Sequence, residues 1–83
     1  MINLIAPRIA LAEHAARFLR LKRGEWRFIV EQRDIQGKTA NDGLFVWVNA
    51  PRYPKTLQDD ERHDYIAQYI KESHIETLEY TLP

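Results

Sequence analysis

Residues 44–49, Leu-Phe-Val-Trp-Val-Asn, narrow most sharply what this chain can fold into. The run is aliphatic, β-branched and aromatic, a composition that suits a pleated strand better than a helix. Before it lies the polar stretch DIQGKTANDG (34–43), which carries two glycines. After it comes APRYP (50–54), whose two prolines block both a sheet ladder and a helix. The run is therefore a short strand. Leu44, Val46 and Val48 share one face; Phe45, Trp47 and Asn49 share the other.

The remaining segments alternate in type. Residues 2–5, INLI, are apolar and β-prone, and Pro7 after them suits the first turn of a helix. From residue 8 to residue 22 the period is helical. Ile9, Leu11, Ala12, Ala15, Ala16, Phe18 and Leu19 fill one arc, and Glu13, His14, Arg17 and Arg20 the opposite one. Gly24 is expected to stop this helix in the position glycine favours. Residues 26–33 alternate as a strand, with Trp26, Phe28 and Val30 on one side and Arg27, Ile29, Glu31 and Arg33 on the other. Residues 34–43 are expected to form a long polar loop. Thr56 opens the sequence T-L-Q-D, a capping-box pattern with Asp59 at its fourth position, and starts a helix that runs to about residue 73. Residues 75–82 alternate again, with Leu78, Tyr80 and Leu82 on one side.

Counting residues 2–5 as a strand gives the order β-α-β-β-α-β, and leaving them out gives α-β-β-α-β. Both predict an α+β fold, a small antiparallel sheet of three or four strands with two helices on one face, and the longer order is ferredoxin-like. With 83 residues, the chain makes one domain, residues 1–83, with a small core.

In that arrangement one sheet face is open. It presents Arg27, Ile29 and Arg33 beside Phe45 and Trp47. Three readings fit such a face. The first is ordinary cross-strand packing, with arginine stems lying over the aromatics. The second is a protein–protein or homodimer interface, where tryptophan, phenylalanine and arginine are enriched. The third is stacking of single-stranded bases on the aromatics, with Arg27 and Arg33 on phosphates. The ribonucleoprotein signature K/R-G-F/Y-G/A-F-V-x-F/Y meets NDGLFVWV (41–48) only at Phe45 and Val46, so it lends the third reading no support.

Charge adds a second candidate surface. Lys and Arg together equal Asp and Glu, twelve against twelve, but unevenly placed. Residues 1–38 hold eight basic and four acidic residues, residues 39–83 four and eight. The run QDDERHD (58–64) begins a helix, where the macrodipole favours acids. Asp60, Glu61, Asp64 and Glu72 lie on its outer face and could meet a basic partner. Asp59 and His63 have the i,i+4 spacing of paired metal ligands, yet no further ligand pattern accompanies them, so no metal or cofactor is expected. There is no cysteine, no phosphate-binding glycine loop and no nucleophile–base pair, and an enzyme is not expected. INLIA (2–6) is too short for a membrane span or a signal-peptide core, so a cytoplasmic protein is expected.

These features point to a small non-enzymatic protein-binding module, a regulator or inhibitor of the kind phages encode. It would act through the aromatic sheet face or the acidic helix. The alternatives are a single-stranded nucleic-acid binder and a self-associating dimerisation domain.

Overall fold

The computed structural model describes residues 1–83. Four strands form its sheet: β1 (Ile2–Ile5), β2 (Trp26–Ile29), β3 (Leu44–Asn49) and β4 (Thr77–Thr81). Three helices join them: α1 (Ile9–Phe18), the single-turn α2 (Gln32–Ile35) and α3 (Leu57–Glu72). A 3-10 turn, Ala40–Asp42, precedes β3. The strand order is β2-β1-β3-β4 and every pairing is parallel.

This overturns the antiparallel expectation. The expected hairpin between residues 26–33 and 44–49 does not form, because β1 lies between those two strands and pairs with both. The reason is in the connection. Residues 30–43 were expected to carry strand and polar loop, but they hold α2 and the 3-10 turn, which carry the chain across the sheet. Glu31 caps α2 and Asp34 closes the box, its Oδ2 accepting from the backbone N–H groups of Val30 and Glu31. That cap ends β2 at Ile29. A crossover of a dozen or more residues permits parallel pairing, and this chain has three.

The helices also fail to share one face. The chain steps from β1 to β2 in one direction, then from β2 past β1 to β3 and on to β4 in the other. Crossovers of one hand therefore place helices on opposite faces. Ala12, Ala15 and Ala16 of α1 pack on Leu4, Ala6, Val46 and Val48. Their small side chains let the helix sit close to the sheet. On the other face Ile35 of α2 and Ile66 and Ile70 of α3 pack on Ile5, Ile29 and Phe45. The result is an α/β fold with a four-stranded parallel sheet covered on both faces.

Other expectations are met or shifted. Residues 2–5 are a strand, and a central one. The cap of α3 forms as the T-L-Q-D pattern implies: Asp59 N–H donates to Thr56 Oγ1 (3.2 Å) and Thr56 N–H to Asp59 Oδ2 (3.0 Å). Helix α1 does not run on to Gly24. It ends at Phe18, and Arg20 takes the left-handed position with φ 57°. Leu21 N–H then reaches back to Ala16 O (2.9 Å), completing a Schellman cap without a glycine.

Candidate functional site

Strands β1 and β3 are neighbours whose onward connections leave in opposite directions. In open parallel sheets, ligands sit outside the carboxyl ends of the strands at such a switch point. Here β1 runs out into Ala6, Pro7 and Arg8, and β3 into the proline loop 50–54 and Lys55. Between them lies a cleft of about 40 Å3. Its walls are apolar: Ile5, Ala6, Val30, Trp47, Val48 and Ile66. Its polar groups come from Asn49, Lys55, Asp59, Arg62 and His63.

Helix α3 supplies most of that polar rim by its period. Asp59, Arg62, His63 and Ile66 fall at i, i+3, i+4 and i+7, one stripe turned toward the sheet. His63 lies over Trp47, with ring centroids 4.5 Å apart. Its Nδ1 is 3.8 Å from Asp64 Oδ1 on the outer side. Asp59 is buried, and its carboxylate is fully engaged. Arg8 donates from one guanidinium nitrogen to Oδ1 (2.7 Å), while Oδ2 takes the Thr56 N–H. The Thr56 N–H foremost, with the Arg8 guanidinium, holds the Asp59 carboxyl below its ordinary value against the opposing effect of burial. Arg8 is held in turn over the Tyr53 ring, 5.7 Å from its centroid. Lys55 and Arg62 form no ion pair, since the three in the molecule join Arg8 to Asp59, Arg33 to Glu31 and His63 to Asp64.

The sequence-predicted residues scatter. Ile29 and Phe45 are 0% and 1% exposed beneath α2 and α3, so the aromatic face is core and not an open surface. Arg27 is half-buried at the β2 edge, level with Asn3. Arg33 is exposed on α2 and paired with Glu31 at 2.6 Å. Trp47 alone of that group reaches a candidate site, as a wall of the cleft. Asp60, Glu61, Asp64 and Glu72 are exposed on α3, as the helical period implied. Leu57 and Tyr65 stand exposed among them, at 76% and 41%. Glu61 and Tyr65 also border a shallow polar groove against Glu31, Gln32 and Arg33 of the α2 region.

Sequence reasoning passed over Arg8, Lys55 and Arg62. Their signal is positional: Arg8 follows β1, Lys55 precedes the cap of α3 and Arg62 lies in its second turn, all at the same end of the sheet, which becomes visible only once the strands are known to be parallel. Asp59 and His63, singled out for their spacing, do meet at one cleft, but the Asp59 oxygens already have partners. The structure contains no group of three or more metal-ligating side chains and no helix long and apolar enough to cross a membrane. No family model matches this chain, and neither a curated protein nor a solved structure matches it.

Proposed function

We propose that this protein is a non-enzymatic binding module that docks a basic partner protein through the outward face of α3, acting as a regulator or inhibitor of that partner. The observation that carries this reading is the pair Leu57 and Tyr65, exposed within the acidic row Asp60, Glu61, Asp64 and Glu72. Exposed aliphatic and aromatic side chains ringed by charge fit an interface whose centre is apolar and whose rim is polar. The acids would speed encounter and select sign, and the two apolar anchors would hold. The inner stripe of the same helix is packed on the sheet through Ile66 and Ile70, so the outer face is presented on a rigid element.

Single-stranded nucleic acid fits this geometry less well. Phe45, the expected stacking platform, is buried. Arg17 sits in the last turn of α1 and Arg20, Lys22 and Arg23 follow it, at the opposite end of the sheet from the cleft.

The test is site-specific photocrosslinking. A crosslinkable residue at Leu57 or Gln68 should yield one discrete adduct in a lysate of the source cells. The same residue at Thr77, on β4, should not. Adding Asp60→Lys and Asp64→Lys should abolish the adduct while leaving the circular dichroism spectrum unchanged. An adduct that survives the charge reversal refutes the proposal, as does equal labelling from β4.

A further inference from the structure

The cleft between the carboxyl ends of β1 and β3 lies on the inner side of α3 and shares only Arg62 with the groove that Glu61 and Tyr65 border. We propose that it is a binding site for a small phosphate monoester, with the phosphate held by Lys55 and Arg62 and a short apolar chain in the pocket beneath them.

The first argument is charge. Four ionisable side chains line the cleft, Lys55, Asp59, Arg62 and His63, and two more lie one hydrogen bond away, Arg8 on Asp59 and Glu79 on Asn49. Asp59 is the one acid in the lining, and Arg8 neutralises it at 2.7 Å; Glu79 is exposed and held by Asn49. Lys55 and Arg62 remain, both at the rim and neither in an ion pair. Two uncompensated cations match a dianion better than a carboxylate, and the planar guanidinium of arginine can engage two phosphate oxygens through paired N–H donors. The acids Asp60, Glu61 and Asp64 are on the outer side of the helix and exposed to water, which screens them.

The second argument is shape. The cleft of about 40 Å3 has room for about three water-sized centres, at about 10–15 Å3 for one. Those centres are walled by the aliphatic side chains of Ile5, Val30 and Ile66 and by Trp47, whose one polar atom is the indole N–H, a lining that favours carbon over water. Asn49, at the end of β3, donates from Nδ2 to Glu79 (3.3 Å), which ties that carboxylate to the neighbouring strand. A three-carbon chain below and a phosphate above would use every part of the site.

Trp47 reports on occupancy. The chain has two tryptophans, so Trp26→Phe leaves Trp47, beside the cleft, as the sole tryptophan, excited selectively over the four tyrosines. In that background, n-propyl phosphate should change the emission saturably and shift the backbone amides of Ile5, Ala6, Val30 and His63 in two-dimensional NMR. Inorganic phosphate should bind at least about tenfold more weakly, since it lacks the propyl chain whose burial in the pocket adds to binding. Butyrate, a monoanion of similar length, should also bind more weakly, and propanol should show no saturation. Lys55→Met and Arg62→Gln lie outside the core and should fold normally. Each should weaken n-propyl phosphate by about tenfold or more, the loss of one charge-assisted contact. The proposal is overturned if n-propyl phosphate does not saturate, if butyrate or propanol binds as well, or if both variants bind as the parent does. Equal binding by inorganic phosphate removes the role given to the apolar pocket.

Discussion

Replacing Phe45 with alanine separates the parallel, doubly covered sheet from any fold that leaves this face open. Phe45 is 1% exposed and sits among Ile5, Ile29, Ile35, Ile66, Ile70 and Ile75. Truncating a phenylalanine at such a site costs about 3–5 kcal/mol, the transfer of the ring plus the cavity it leaves. Its neighbour Leu44 points to the α1 side and is 53% exposed. Leu44→Ala should cost less than about 1 kcal/mol. A chain of this length has a total stability of about 4–12 kcal/mol, so Phe45→Ala is measurable only if the parent lies in the upper part of that range. Ile66→Val, at a second buried point under the same helix, supplies a milder step of about 0.5–1.5 kcal/mol. Urea titrations followed by circular dichroism give each difference, provided the slope with denaturant is unchanged. If Phe45→Ala costs no more than Leu44→Ala, the face is not packed and the arrangement of α2 and α3 is wrong.

Two further predictions test local physics. Arg20 and His74 close the Schellman caps of α1 and α3 at φ 57° and 53°, where a Cβ is strained. Arg20→Gly and His74→Gly should therefore each stabilise by about 0.5–1 kcal/mol, raising Tm by about 2–8 °C in a domain this small; a fall in Tm for either would refute the account. Asp42 and Asp59 are both held below the ordinary carboxyl value of 3.8, chiefly by the backbone N–H groups of Thr39 and Thr56. A carboxyl depressed on folding contributes stability above its unfolded value, and that contribution is lost as pH falls through the folded one. Asp59→Asn should thus be less stable than the parent near pH 6, with the gap narrowing toward about pH 3; a gap of constant size would refute the linkage.

The local elements were legible in the sequence to differing degrees, for physical reasons. The T-L-Q-D cap of α3 and the strand at residues 44–49 could be read because each is set by neighbours in sequence. The short helix α2 hid at the join of two readings, because Glu31 and Arg33 continue the alternation of residues 26–33 and Asp34 opens the polar stretch 34–43. Missing it turned a crossover into a hairpin and a parallel sheet into an antiparallel one. The faces followed from that error: Phe45 and Ile29 were placed on an open surface because no helix was left to cover them. The run 44–49 did hold the correcting signal. A central parallel strand is buried on both sides and reads as continuously apolar, whereas a half-open strand carries polar residues on one face. Arg8, Lys55 and Arg62 had no local signature at all, since their meeting depends on which strand ends lie side by side.

Parallel strands also make the two ends of this sheet different in kind. At the amino end the chain is stitched together. Asn3, fully buried, donates from Nδ2 to Asp42 O (3.2 Å) and Leu44 O (3.0 Å). Leu44 N–H donates to Met1 O (3.2 Å), and Ile2 N–H to Glu25 O (3.0 Å). Gly43 packs so close to Met1 O that a Cβ there would clash with backbone. Bonds of this kind tie β1 to both its neighbours and leave little room for change. At the carboxyl end the proline loop closes a single turn, Tyr53 N–H to Ala50 O (3.0 Å), and Lys55 and Arg62 form no ion pair. This end is also tied, by Ala6 N–H to Ile29 O (3.2 Å), Leu82 N–H to Asn49 O (2.8 Å) and Arg8 to Asp59 (2.7 Å). Those bonds engage the strand ends and the one acid of the cleft lining and spare Lys55 and Arg62, which leaves two cations beside an apolar floor.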